Sequence, residues 1–134
     1  KFYCIDTALS RAISFKFSQN LGHLYENLVY IELKRRNEEV FYWKSKKGKE
    51  VDFVTKKGLK IDKAIQVCVS LSDKKARERE IQSLMDANQE LKPKHLLILT
   101  EDEEGKVDAG AARIKFLPLW KWLVLEDAVL VYQV

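Results

Sequence analysis

The chain has little that would staple it, break it or embed it in a membrane. Only Cys4 and Cys68 occur among 134 residues. That excludes a disulfide framework, and without a Cys-x-x-Cys pair it excludes the usual zinc site. Both sit in apolar, strand-like runs, so they read as buried free thiols in a reducing compartment. Two prolines and five glycines leave long stretches free to form unbroken helix and strand. No apolar run approaches the ~20 residues of a membrane helix, and no signal-peptide pattern opens the sequence. The expectation is a soluble, cytoplasmic domain with no membrane contact. No glycine-rich loop ending in Gly-Lys-Ser/Thr is present, so this chain alone is not expected to hydrolyse ATP. His23 and His95 lack metal-ligand spacing and read as structural.

The sequence is rich in charge set among apolar runs. Charged residues are 33% of the chain against 46% hydrophobic, which suits one domain, residues 1–134, with a single core. The net charge of +4 permits nucleic acid or acidic partners without demanding them. The chain begins at Lys1 rather than Met, as a fragment of a longer protein would.

Periodicity orders the elements. Residues 2–5 read as a strand, residues 8–12 as a short helix, and Phe15 and Phe17 as an extended link. Ser18 or Asn20 caps a long helix to about Arg36, whose wide apolar stripe includes Leu24, Leu28, Val29 and Leu33. Residues 40–43 and 51–54 make a hairpin around Lys46-Lys47-Gly48-Lys49. Residues 64–69 form a third strand after the Lys56-Lys57-Gly58 turn. Ser72 or Asp73 caps a helix from about Lys74 to Leu91. Residues 95–100 are wholly apolar, as in a strand covered on both faces. An acidic loop from Glu101 to Gly105 leads to a last core strand at 112–117. Pro118 opens a helix through Leu123, and residues 129–134 read as an edge strand. A hairpin, then a central strand, then a helical crossover implies a mixed sheet between helices.

Three positions carry candidate chemistry. Glu26 lies on a helix whose i+3, i+4 and i+7 neighbours are Val29, Tyr30 and Leu33. Asp52 sits between Val51 and Phe53. Gln66 and Cys68 share one face of their strand by parity. Taken alone, each has a plain reading. Glu26 can pair on a helix surface, Asp52 can face solvent beside Glu50, and Gln66 can be a satisfied core amide beside a small thiol. The lysines at 44, 46, 47 and 49, and those at 56, 57, 60 and 63, make two basic turns. These are either solvated loops or contacts to a phosphate backbone. Arg77, Glu78, Arg79 and Glu80 begin the next helix as a charged run. Trp120 and Trp122 read as core and interface anchors.

The element order with Glu26, Asp52 and Gln66-Val67-Cys68 resembles the PD-(D/E)XK nuclease fold, a restriction-endonuclease-like mixed central sheet flanked by helices. In it an acidic residue comes from the first helix, an Asp from the second strand, and an acid and a lysine from the third. The closer resemblance is to the C-terminal domain of unknown function that follows the ATPase module of many archaeal and bacterial AAA-type ATPases. It rests on Gly22-His23-Leu24-Tyr25-Glu26-Asn27-Leu28-Val29, Tyr42-Trp43-Lys44, Gly48-Lys49-Glu50-Val51-Asp52-Phe53-Val54, Arg77-Glu78, and the entry segment around Lys1-Phe2-Tyr3 and Asp6-Thr7-Ala8-Leu9.

The resemblance implies an ATPase module in the same polypeptide before Lys1. It also implies DNA as partner, Mg²⁺ held by Glu26 and Asp52, and Gln66 assisting as a third catalytic position. Lys44, Lys46, Lys47, Lys49, Lys60, Lys63 and Arg77 would be the nucleic-acid contacts. Gln66 replaces an acidic ligand, and Cys68 stands where the lysine belongs. A lysine from position 44, 60 or 63 would have to substitute for it. The expectation is a nuclease-like module with an altered or inactive site. The alternatives are an active Mg²⁺-dependent DNA endonuclease and a non-enzymatic protein-interaction module.

Overall fold

The computed structural model describes residues 21–125. The strand at 2–5, the helix at 8–12, the link at Phe15 and Phe17, Cys4 and the strand at 129–134 lie outside the described residues.

The first described helix, α1 (Leu21–Arg35), is followed by β1 (Glu39–Lys44), β2 (Glu50–Lys57) and β3 (Lys60–Val67). Next come α2 (Lys74–Leu91), β4 (His95–Thr100), β5 (Gly105–Ala109), β6 (Ala112–Pro118) and α3 (Leu119–Val124). The six strands form one sheet in the order β1-β2-β3-β4-β6-β5. The centre is parallel, β3 with β4 and β4 with β6, and the outer pairings are antiparallel. No described helix is long and apolar enough to cross a membrane.

Local chemistry sets the helix ends. After α1, Glu38 N donates to Leu33 O and Asn37 N to Lys34 O, the paired bonds of a Schellman cap. Asn37 sits in the left-handed region at φ 57°, which its short polar side chain tolerates. Asp73 caps α2, accepting from Lys75 N at 3.0 Å. Lys92 ends α2 at φ 50°, and Pro93 prevents its continuation.

Alternation along the strands divides the core into two layers. Val54, Ala64, Ile98, Ile114 and Phe116 pack with Leu84 and Ala87 of α2. Phe53, Ile65, Leu97, Leu99 and Leu117 pack with Val29 and Leu33 of α1 and Trp122 of α3. Fully burying each of the larger side chains stabilises the fold by about 1.5–3 kcal/mol. The apolar run of β4 is explained by burial on both faces.

Strand β5 is an element the periodicity does not reveal. It pairs with β6 through a turn at Gly110, φ 63°. Among its residues only Val107 is a large apolar group, so no alternation marks it.

Two bulges shape the hairpins. Asp52 and Phe53 together face Tyr42, because Phe41 pairs with Val54 and Trp43 with Val51. On β3, Asp62 is the extra residue between Ile61, opposite Lys56, and Lys63, opposite Thr55. A bulge adds local twist and re-aims a side chain. The first one determines how Asp52 is used.

Candidate functional site

The β2–β3 backbone ladder reaches Phe53 opposite Ile65 and goes no further in that direction. Beyond it, side chains replace the missing backbone bonds. Val67 N–H donates to Asp52 Oδ2 at 3.0 Å, and Asp52 N–H donates to Gln66 Oε1 at 3.2 Å. The bulge frees the Asp52 carboxylate to take the place of a strand carbonyl. Both residues are buried, at 9% and 8% exposure. Asp52 therefore does not lie on the solvent side of an alternating strand.

Gln66 continues the network into the helix layer. Its Nε2 donates to Glu80 Oε2 at 2.5 Å. Arg79 holds the other Glu80 oxygen, through Nε at 3.1 Å and Nη2 at 2.7 Å. Glu80 is 7% exposed, whereas the Arg79 side chain is 71% exposed. The carboxylate thus has one buried amide partner and one cation at the surface. A buried carboxylate without such partners would be costly.

Cys68 lies beside this network and is half-buried. Burial first, and then the Glu80 charge, push its thiol above the ordinary range. Its Sγ donates to Ser70 O at 3.2 Å. The thiol is neutral at physiological pH and supplies no positive charge at the position where a lysine was expected.

Glu26 lies on α1, which packs against the face of the sheet opposite α2. The Gln66 side chain points to the α2 face. The structure therefore brings Asp52, Gln66 and Glu80 together and places Glu26 on the other layer. Its neighbour Tyr25 has its phenol pushed up, first by burial and then by Glu101 and Asp102. That locates the start of α1 near the acidic loop after β4.

As arranged, several polar atoms of this site already serve the fold. Gln66 Oε1 already accepts a backbone N–H, one Asp52 oxygen does the same, and Gln66 turns a donor toward Glu80. Among the described residues, no three His, Cys, Asp or Glu side chains gather closely enough to hold a metal ion.

The basic residues divide into two sets. Lys46, Lys47, Lys57 and Lys60 are exposed. Lys44 bonds Glu50 at 2.8 Å, and Lys49 bonds Asp86 at 2.9 Å. Lys63 is buried, 2.6 Å from Glu38 and 3.6 Å from Asp62, an internal pair rather than a surface cation. Arg77 bonds Glu103 and stacks over Phe116 at 4.6 Å. The arginine that meets the acidic network is Arg79. Trp122 is wholly buried under the Arg36 guanidinium, whereas Trp120 is 63% exposed.

Glu80 is the residue that sequence reasoning passed over, as part of a charged helix start. A signal was available. Positions 80, 84 and 87 share one helical face, and Leu84 and Ala87 are wholly buried.

Residues 21–122 match the model of a domain of unknown function, DUF4143. An uncharacterized protein of Methanocaldococcus jannaschii, MJ1544, is 39% identical over 132 residues, covering 91% of this chain. The chain spans 29% of the length of that relative. No solved structure matches it. With its described fold lying almost wholly within the matched region, this chain belongs to the DUF4143 domain family.

Proposed function

We propose that this domain is a nuclease-like C-terminal module of an AAA-type ATPase, with a restriction-endonuclease-like sheet, that contacts DNA through a site no longer arranged for hydrolysis. The observation that carries this reading is the Asp52–Gln66–Glu80 network. At the positions where the resemblance expects metal-binding acids, the carboxylate and amide instead repair a strand ladder and join it to α2. The neutral Cys68 thiol beside them points the same way. A nuclease needs a charge that stabilises the developing phosphate negative charge, whereas Lys44 is engaged by Glu50 and Lys63 by Glu38. The exposed lysines of the two turns fit the phosphate backbone, where affinity is electrostatic and falls with salt.

The test is DNA incubated with Mg²⁺ or Mn²⁺, comparing the wild type with Asp52→Ala. The expected result is no cleavage by either protein, together with DNA binding that weakens steeply with salt. Metal-dependent cleavage abolished by Asp52→Ala would overturn the altered-site reading. Absence of DNA binding would overturn the DNA reading. A protein-interaction module is the second reading, favoured by Trp120 at 63% and Val124 at 77% exposure on α3. Large exposed apolar side chains grouped on one element mark contact surfaces.

A further inference from the structure

The strongest feature outside the acidic network is the ribbon made by β1 and β2. Strand β1 is the edge of the sheet, and it displays two consecutive exposed aromatics, Phe41 at 43% and Tyr42 at 47%. Phe41 pairs with Val54 on the α2 face, and Tyr42 lies opposite the bulge with its side chain toward the other face. The two rings therefore straddle the edge strand. Lys56 Nζ lies 4.7 Å from the Phe41 ring centroid.

Lysines stand at both ends of this ribbon. Lys46 and Lys47 occupy the β1–β2 turn, and Lys57 and Lys60 flank the β2–β3 turn. None of these four forms an ion pair among the described residues. Glu38 and Asp62 beside the ribbon face Lys63. Glu39 is opposite Lys56 in the ladder, Glu50 bonds Lys44, and Asp86 of α2 bonds Lys49. The β2–β3 turn also exposes Leu59 completely. Eight residues of β2 at about 3.3 Å each separate the two lysine groups by roughly 26 Å.

We infer that this ribbon is a track for single-stranded nucleic acid, with Phe41 stacking on a base and the turn lysines contacting phosphates. The inference rests on the DNA-contacting reading above and specifies its ligand. Charge alone would suit a duplex or an acidic protein equally. The Phe41 ring decides between them, because an exposed ring flanked by cations matches unstacked bases on a phosphodiester chain. In a duplex the base faces are already occupied by their neighbours. Lys56, which now lies over the Phe41 ring, has a stem long enough to move to a phosphate when a base takes the ring.

The experiment titrates the full 134-residue chain with a fluorescent oligothymidylate and with a duplex of equal length, at several salt concentrations. Phe41→Ala and a Lys46→Ala/Lys47→Ala double variant are compared with the wild type, and circular dichroism checks that each is folded. The wild type is expected to prefer the single strand. Phe41→Ala should weaken single-strand binding by roughly five- to a hundredfold with an unchanged salt slope. The lysine double variant should lower both affinity and slope. Phe41→Trp should retain binding. Duplex binding as tight as single-strand binding, with Phe41→Ala silent, would overturn the track and leave the DNA reading standing. No binding to either nucleic acid would overturn both.

Discussion

Two lysines on the same face of the sheet have opposite fates. Lys63 on β3 and Lys115 on β6 each project, by strand parity, into the layer covered by α1 and α3. Lys63 meets Glu38 at 2.6 Å and Asp62 at 3.6 Å. Among the described residues the buried Lys115 Nζ meets no hydrogen-bond partner, and its cross-strand neighbour is another cation, Lys106. One ammonium is part of the fold and the other is a burden on it. The difference lies in what faces each residue. The bulge on β3 turns Asp62 toward its neighbour, and the α1 cap delivers Glu38. No described acid is delivered to Lys115 in the same way.

Removing one partner of a buried pair is the most damaging change available here. Lys63→Met is expected to cost about 3–5 kcal/mol in urea unfolding, because Glu38 and Asp62 lose their cation. A Lys63→Met/Glu38→Leu double variant should recover much of that loss. If Lys63→Met unfolds at the wild-type midpoint, the pair contributes nothing and the contrast collapses.

Asp52→Ala should come next, at roughly 1–3 kcal/mol, since the Val67 N–H is left buried without an acceptor. Asp52→Asn keeps an acceptor oxygen and should cost less. Equal losses in the two variants would argue against the ladder-repair role. Lys115→Met should stabilise by about 1 kcal/mol, the low end of the penalty for an unsatisfied buried group. The long stem lets the ammonium approach water and softens that penalty. A destabilised Lys115→Met protein would show that the ammonium has a partner after all.

Glu32 extends the comparison to pH. Its carboxyl is held below the usual range, chiefly by the Arg35 hydrogen bond and then by Arg36, against the opposing effect of burial. A depressed folded value contributes stability that is present above the unfolded glutamate range, near 4.3. That stability is lost as pH falls through the folded value. Glu32→Gln should therefore flatten the acid limb of the stability curve and leave its shape near neutrality unchanged. An acid limb as steep as that of the wild type would remove Glu32 as its cause. The smallest effect is chemical. In a Cys4→Ser background, Cys68 should alkylate more slowly at neutral pH than a free thiol, since its value is raised. Fast alkylation would mean that a cation reaches it.

Much of the framework was legible in the residue pattern. The apolar stripe of α1, a cap of α2 at Ser72 or Asp73, the uninterrupted 95–100 run and the lysine-glycine turns all declare themselves locally. Strand β5 did not, because one valine among small and charged residues carries no alternation. The site was half legible. Asp52 and Gln66 stood out as polar groups in apolar strands, but the bulge that joins them comes from pairing register, which no single strand encodes. Glu80 was hidden inside a charged run, where composition overrode helical position.

By itself, then, the sequence determined the described elements other than β5, their approximate ends and the mixed sheet, since these follow from local periodicity and capping. It also determined that Cys68 brings no fixed cation. The tertiary structure decided which charges are paired. It gave Lys63 two acids and Lys115 none among the described residues, set Glu80 beside Gln66, and turned Asp52 into a backbone acceptor. The physical reason is common to all of these. A buried polar group is defined by what faces it across the sheet, and that depends on register, bulges and helix placement rather than on its neighbours in the chain.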